Sequence, residues 1–180
     1  MRILIVLAGL LAAAPLAAQT QHGTDSGHHG HAGGHAQGQQ EAQACEESFD
    51  KVIAEGRGFG MAFAADRNGY PGPLHVLELR EALQLTLDQQ ARVRSLLSAM
   101  FAESRPKGAE LLAAEAGLRR LFERGGPTEE SVRAHVMQIE RLRGELRLVH
   151  LRYHLKTREL LTDQQRATYH TRRWAAPPAR

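Results

Sequence analysis

The sequence has little cysteine, few aromatic residues and only one long apolar segment. Its 180 residues include a single cysteine, Cys45, and aromatic residues make up 5%. One cysteine excludes an intrachain disulfide, so the apolar core alone must stabilise the fold. Beyond residue 18, no segment approaches the roughly 20 apolar residues that a membrane-spanning helix needs. These absences favour a soluble mature protein.

The first 18 residues have the layout of a secretory signal peptide. One positive charge at Arg2 precedes an apolar run over residues 3 to 11, and small residues follow up to Ala18. The alternative is a retained membrane anchor, although the run is shorter than the roughly 20 residues that span a bilayer. We predict that residues 1 to 18 form a signal peptide and that the protein is exported, most simply to a bacterial periplasm.

Cys45 has three interpretations in an oxidising compartment. A lone thiol there is buried, paired between two chains, or used as a soft metal ligand. Cys45 precedes Glu46 and Glu47 at the edge of a low-complexity tract. This context does not choose among the three.

Residues 19 to 44 are rich in Gly, Gln, Ala and His and show no apolar periodicity. Such a segment cannot bury a core, so we predict that it is disordered. Five histidines cluster in it: His22, His28, His29, His31 and His35. Neutral imidazoles suit Zn, Cu and Ni, and a flexible segment can wrap an ion with whichever nitrogens are nearest. The tract is a candidate metal-binding segment, and the alternative is a solubilising spacer.

The rest of the chain is predicted to be all-α, because no strand pattern occurs in it. Residues 45 to 174 form the predicted helical domain, and residues 175 to 180 form a tail that should fray. Short helices are expected over residues 45 to 55 and 74 to 83. A Gly- and Pro-rich stretch between them indicates an irregular connection.

A five-residue motif, LTxxQ, occurs twice. The copies are Leu85-Thr86-Leu87-Asp88-Gln89 and Leu161-Thr162-Asp163-Gln164-Gln165. In each copy the threonine precedes a helical run and the glutamine follows three residues later, which is the spacing of a capping box. We predict that helices begin directly after Thr86 and Thr162, and that the second of them ends near Trp174.

Apolar residues recur at helical spacing over two long segments. The first stripe comprises Val93, Leu97, Met100, Ser104, Leu111, Leu118 and Phe122. Pro106 and Gly108 interrupt it, but the phase resumes, which predicts one helix kinked at Pro106. The second stripe, after a helix cap at Thr128, comprises Val132, Val136, Ile139, Leu142, Leu146, Val149, Tyr153 and Leu160. The turn at Gly125-Gly126-Pro127 between the two stripes predicts a long antiparallel helical hairpin with short flanking helices.

Composition and motifs restrict the function. A hairpin of two helices has a narrow core, so we expect a homodimer formed through exposed apolar faces. The formal net charge of +3 is too modest to indicate nucleic-acid binding. GxSxG, HExxH and glycine-rich phosphate-loop motifs are absent from the sequence, so we predict that the protein is not an enzyme.

The two LTxxQ motifs, the export signal and the long helical hairpin resemble the Spy/CpxP-like periplasmic family. That family includes stress chaperones, zinc-resistance-associated proteins and membrane-linked heavy-metal sensors, and the resemblance covers residues 73 to 174. It implies a hooked helical hairpin that dimerises into a cradle. The His-rich tract and the segment from Gly72 to Leu79 favour the metal-handling branch.

Helical spacing suggests a metal site in the folded domain. His150 and His154 are four residues apart and lie on one helix face, where two imidazoles can chelate one ion. At about 1.5 Å per residue, the short helix would bring His75 and Glu78 to a similar level. The hypothesis is a site of His75, Glu78, His150 and His154, with Met100 or Glu103 as additional ligands. The alternative is that these histidines are ordinary residues on the flank of a helix.

The metal-sensing branch implies two early histidines, an acidic residue on the first long helix and a His-x-x-x-Met pair on the second. Here the early pair is reduced to His75, the acidic position is apolar near Leu97, and His154 stands where the methionine would be. We predict a periplasmic protein of heavy-metal resistance or envelope stress that binds Zn, Cu, Ni or Co as a sensor or buffer. A sensor would need a membrane-bound regulator as partner.

The alternative function is that of an ATP-independent periplasmic chaperone. In the chaperone branch, a concave dimer face with basic and apolar patches holds unfolded clients. The Arg-rich second helix, with Met100, Phe101 and Leu112, is the candidate surface here. The alternative for this charge run is an ordinary solvated helix face.

Overall fold

The computed structural model describes residues 32 to 175, and it describes only the backbone of residues 32 to 39 and 42. The helices are α1 (Ala32–Ala54), α2 (Phe63–Asp66), α3 (Pro73–Glu78), α4 (Leu87–Glu123), α5 (Glu129–Glu159) and α6 (Asp163–Trp174). No strand occurs over this range, which confirms the predicted all-α class there. The predicted signal peptide and most of the His-rich tract lie outside the described residues.

The two long helices, α4 and α5, pack against each other. Lys107 pairs with Glu145 at 2.8 Å, and Glu103, earlier in α4, pairs with Arg152, later in α5, also at 2.8 Å. The core at their centre comprises Leu111, Ala114, Ile139, Leu142 and Leu146, together with Ile53 of α1. Near the turn between the helices, the predicted stripe residues Phe122 and Val136 are exposed.

Helix α4 continues through Pro106, as predicted for one helix instead of two. The kink at Pro106 stays a prediction. The packing explains why a glycine, Gly108, interrupts the apolar stripe of α4. A β-carbon at this position would stand 2.7 Å from the carbonyl oxygen of Ile53. Glycine at this position therefore allows α1 to approach the backbone of α4 closely.

Helix α1 begins at Ala32, within the tract that the sequence predicts to be disordered. Ala, Gln and Glu make up most of residues 35 to 44, and these residue types have good helix propensity. The far end of the helix is fixed by Ile53, which is fully buried against α4 and α5. Cys45 is exposed on α1, which excludes the buried interpretation of its thiol.

The segment between α1 and α4 differs in detail from the prediction. Helix α2 lies within the predicted irregular connection, and α3 ends at Glu78 instead of residue 83. The chain turns after Glu78 because Leu83 and Leu85 are buried with Val76 and Tyr169 in a second core cluster. Sequence propensity does not include this tertiary packing.

The helix starts predicted after Thr86, Thr128 and Thr162 are confirmed. Thr86 and Thr162 form capping boxes with Gln89 and Gln165, and Thr128 forms one with Ser131. The two LTxxQ glutamines also bond each other, with Nε2 to Oε1 distances of 2.9 and 3.0 Å. The beginnings of α4 and α6 are therefore joined side by side.

Candidate metal centre

One cavity of about 520 Å³ lies between the α2–α3 segment and the facing sides of α4 and α5. Its wall contains His75, Glu78, Met100, His150 and His154, so the four residues of the sequence hypothesis line one cavity together with Met100. Much of the remaining wall is apolar: Val52, Phe59, Ala62, Phe63, Leu74 and Phe101.

His154 is held in place by the backbone that connects α2 to α3. Its Nδ1 lies 2.7 Å from the carbonyl oxygen of Tyr70. Because a carbonyl can only accept, Nδ1 carries the proton and Nε2 keeps its lone pair. A β-carbon at Gly72 would stand 2.8 Å from this Nε2. The hydrogen of Gly72 therefore leaves space beside Nε2 that a larger residue would fill.

His75 has a similar arrangement on α3. Its Nδ1 lies 2.7 Å from Oε2 of Glu78, which accepts the hydrogen bond when the carboxyl is ionised. Metal-binding histidines commonly donate one ring N–H to a carboxylate or a backbone carbonyl and bind the ion with the other nitrogen. Both His75 and His154 present Nε2 in this way. The His75 side chain is 32% exposed, so it has room to change rotamer.

His150 is the most buried of the three histidines, with 3% of its surface exposed. Its Nε2 is buried and has no hydrogen-bond partner among the described residues. The ring packs on Gly58, where a β-carbon would stand 3.1 Å from Cγ. An unpaired buried polar group costs about 1–3 kcal/mol, so a ligand that bonded this nitrogen would remove a penalty from the folded state.

Burial keeps His150 and His154 of α5 neutral near pH 7. Burial and the nearby His154 lower the pKa of His150 from 6.5 to about 4. Burial also lowers the pKa of His154, although the Tyr70 carbonyl and Asp66 oppose this shift. Neutral imidazole is the form that binds metal ions. The electrostatics of the cavity therefore leave these ring nitrogens available as ligands.

Asp66 also lines the cavity, although it was not predicted as a site residue. It is 3% exposed, accepts a hydrogen bond from the Tyr169 hydroxyl at 2.6 Å and one from Arg173 Nε at 2.8 Å. Burial, followed by the Asp66 interaction, raises the pKa of Tyr169. The partners lie 103 and 107 residues away in sequence, so no local pattern could indicate this network.

Glu103, predicted as an additional ligand, does not line the cavity. It accepts hydrogen bonds from the Tyr153 hydroxyl at 2.5 Å and from Arg152 at 2.8 Å, so its carboxylate joins α4 to α5 instead. Met100 is buried on the cavity wall.

The apolar residues predicted for the chaperone surface, which lie on α4, are less exposed than four large apolar residues of α5. Met100 is buried, and Phe101 and Leu112 are half-buried against core clusters. The large apolar side chains that α5 exposes are Val136, Met137, Leu148 and Leu155.

Within residues 32 to 175, no three His, Cys, Asp or Glu side chains are arranged to hold a metal ion as they stand. His75, His150 and His154 share a cavity but would have to move to share an ion. His22, His28, His29 and His31 lie outside the described residues, as does the side chain of His35. Over the same described range, no helix is both long enough and apolar enough to cross a membrane.

Comparisons with protein-family models, with curated proteins and with solved structures find no match to this chain. The resemblance to the Spy/CpxP-like family therefore depends on the sequence motifs alone.

Proposed function

We propose that this protein binds a transition-metal ion, of the group Zn, Cu, Ni and Co, in the cavity formed by α3, α4 and α5. His75, His150 and His154 are the proposed ligands, and Glu78 orients His75. One observation carries the proposal. The buried Nε2 of His150 has no hydrogen-bond partner among the described residues. His150 lines the same cavity as His75 and His154, whose Nδ1 atoms are already hydrogen-bonded. Neutral imidazoles of this kind suit borderline metal ions.

Binding requires a local rearrangement. His75 is the side chain suited to move, because it is partly exposed and belongs to the six-residue helix α3. His150 and His154 are fixed by burial on the long helix α5. The ion would therefore draw α3 towards α5 and stabilise the folded domain.

The proposed setting is a bacterial periplasm, reached by cleavage of residues 1 to 18. There the protein would act without catalysis in heavy-metal resistance or envelope stress, as a metal buffer or sensor. The finer architecture belongs to the same proposal: an antiparallel hairpin kinked at Pro106, paired in a Spy/CpxP-like homodimer. A sensor would require a membrane-bound regulator as partner, and the tract histidines would add weaker sites.

The test is calorimetric titration of the full chain with Zn, Cu, Ni and Co, after all five tract histidines are changed to glutamine. We expect one ion per chain, and a loss of at least about tenfold in affinity in His150→Gln and His154→Gln. His135→Gln is the matched control. His135 also lies on α5, but it does not line this cavity, and its Nδ1 is 2.8 Å from the Ser131 carbonyl oxygen. Absence of heat with every metal would refute the folded site.

A second candidate function, client holding, is favoured by one surface. Met137, Leu148 and Leu155 are 66%, 62% and 53% exposed, and their spacings of eleven and seven residues place them on one face of α5. Exposed apolar stripes of this kind bind other proteins. If α5 holds clients, Leu148→Gln with Leu155→Gln should abolish suppression of aggregation of a denatured test protein. Unchanged suppression would exclude this face.

A further inference from the structure

The donors around the cavity differ in charge and softness from an ordinary zinc site. The wall offers three imidazoles and the Met100 thioether, all of them neutral donors. Its two carboxylates are engaged, because Glu78 accepts from His75 and Asp66 accepts from Tyr169 and Arg173. Each described carboxylate on this wall therefore already has a hydrogen-bond partner.

The surroundings penalise a high ionic charge. Phe59, Phe63 and Phe101 form part of an otherwise largely apolar wall, and the charges of Arg57 and Arg173 are paired with Glu55 and Asp66. The cost of transferring an ion from water into an apolar medium rises with the square of its charge, so it is about four times larger for a divalent than for a monovalent ion. Imidazole and thioether donors carry no charge, so this cost is greater for a divalent ion than for a monovalent one.

The thioether adds a preference of its own. Thioether sulfur is a soft ligand that selects Cu(I), whereas carboxylate and water suit harder ions. Met100 is 6% exposed and packs with Val149 and Tyr153, so its side chain is held at the cavity on the same level as the α5 histidines. A buried methionine beside two buried histidines is thus a soft, uncharged donor set.

We propose that the metal of this cavity is the cuprous ion, bound by His150, His154 and Met100 and covered by His75. This inference rests on the proposed metal-binding function and specifies its ion. The site would exclude water from the ion and prefer Cu(I) to Zn²⁺, Ni²⁺ and Co²⁺, because it combines a soft thioether donor with a largely apolar wall.

The experiment is anaerobic competition for Cu(I) against bicinchoninate, followed by its absorbance, together with Zn(II) titration under the same conditions. The protein is the full chain with the five tract histidines changed to glutamine. We expect one Cu(I) per chain, and at least about tenfold weaker Cu(I) binding in Met100→Leu, in line with the loss of a metal-site contact. Zn(II) binding should change by less than about twofold in the same variant.

Met137→Leu is the matched control, because Met137 is an exposed methionine on α5 and should leave both metals unaffected. Leucine has nearly the volume of methionine, so Met100→Leu should fold, and circular dichroism checks this. His154→Gln provides a second variant that should weaken Cu(I) binding whether or not Met100→Leu folds.

The outcomes separate the two proposals. Cu(I) capture that depends on Met100 and His154 supports both. Zn(II) binding with no capture of Cu(I), or Cu(I) capture that Met100→Leu leaves unchanged, overturns the cuprous assignment and leaves the metal-binding function standing. Failure to bind either ion overturns the cuprous assignment, and absence of binding to Ni(II) and Co(II) as well overturns both proposals.

Discussion

At the scale of single residues, the chemistry of the cavity depends on how each imidazole is bonded. The Tyr70 carbonyl fixes the proton of His154 on Nδ1, and Glu78 does the same for His75. His150 has no partner at Nε2 among the described residues and relies on burial to stay neutral. Among the three histidines, protonation of His150 should therefore lower the free energy of unfolding most.

His150 should make the metal-free protein sensitive to acid. Its pKa is about 4 in the folded state and near 6.5 when unfolded, so between these values the unfolded chain binds more protons. Stability therefore falls as the pH is lowered through this window, by about 2–3 kcal/mol at pH 4.5, since one pKa unit corresponds to about 1.4 kcal/mol. Urea unfolding at pH 7 and pH 4.5 with a chelator present measures this loss.

His150→Leu should reduce the loss between the two pH values by about 2 kcal/mol, and the lowered pKa of His154 should account for part of what remains. His170→Leu, on the exposed side of α6, controls for removal of one histidine. An unchanged loss in His150→Leu would contradict the burial argument.

Gly72→Ala should block metal binding without removing any ligand. The added methyl group would stand 2.8 Å from Nε2 of His154, closer than a normal contact. Gly72 has φ −79°, which alanine adopts without strain, so the backbone should be unaffected. We expect at least about tenfold weaker binding by the titration described above.

The matched control for Gly72→Ala is Gly144→Ala. A β-carbon at Gly144 meets nothing within 4 Å, and alanine should slightly stabilise helix α5 there. Equal metal affinity in both variants would show that Nε2 of His154 is not a ligand.

At the scale of elements, the repeated motif joins two helix starts. Each glutamine oxygen accepts from the N–H of its own capping threonine and from the amide of the other glutamine. The two amide nitrogens also donate to the Leu160 and Leu83 carbonyl oxygens, at 2.8 and 3.2 Å. The pair thereby satisfies backbone groups of two chain reversals at once.

Breaking this glutamine pair should destabilise the fold. Gln89→Ala or Gln165→Ala leaves partly buried polar groups unpaired, so each should cost about 1–3 kcal/mol in the free energy of unfolding. The double variant should cost less than the sum by at least about 0.5 kcal/mol, because the residues share bonds. Thermal and urea denaturation measure both quantities.

The neighbouring Gln164 provides the control for the pair. It is exposed in the first turn of α6, so Gln164→Ala should stay within about 0.5 kcal/mol of the parent. Strict additivity of the Gln89 and Gln165 variants would mean that the two motifs act only as separate caps.

Helices that begin at a clear capping residue could be predicted from the sequence, and helices that lack one could not. The starts of α4, α5 and α6 follow from capping residues and apolar periodicity. The early start of α1 and the short helix α2 were not predicted. The Gly-rich composition of both segments indicated disorder or an irregular connection instead of a helix. The end of α3 at Glu78 was decided by tertiary packing, because Leu83 and Leu85 are buried in the second core cluster.

At the scale of the whole molecule, the cavity lies where several separate segments of the chain meet. Residues from the end of α1, the α2–α3 segment, the two long helices and α6 all contribute to its wall. Its contents therefore depend on how α1 and α3 pack on α4 and α5. Metal binding should accordingly stabilise the domain as a whole.

We expect the protein to be a homodimer that uses the apolar face of α5. Leu148 and Leu155 are more than half exposed, and burying one leucine is worth about 1.5–3 kcal/mol. Leu148→Glu should therefore shift sedimentation equilibrium from dimer to monomer. Arg147→Glu, an exposed change on the same turn of α5, is the matched control for the introduced charge. A monomeric parent would contradict the prediction.

The sequence by itself determined the helical class, the helix starts at Thr86, Thr128 and Thr162, and the hypothesis that His75, Glu78, His150 and His154 lie near one another. Caps and periodicity are local, so they can be read along the chain. The tertiary structure alone decided which nitrogen His154 presents, that Glu103 bonds Tyr153 and Arg152, and that Asp66 is buried with Tyr169. These outcomes depend on contacts between residues far apart in sequence, which no local pattern encodes.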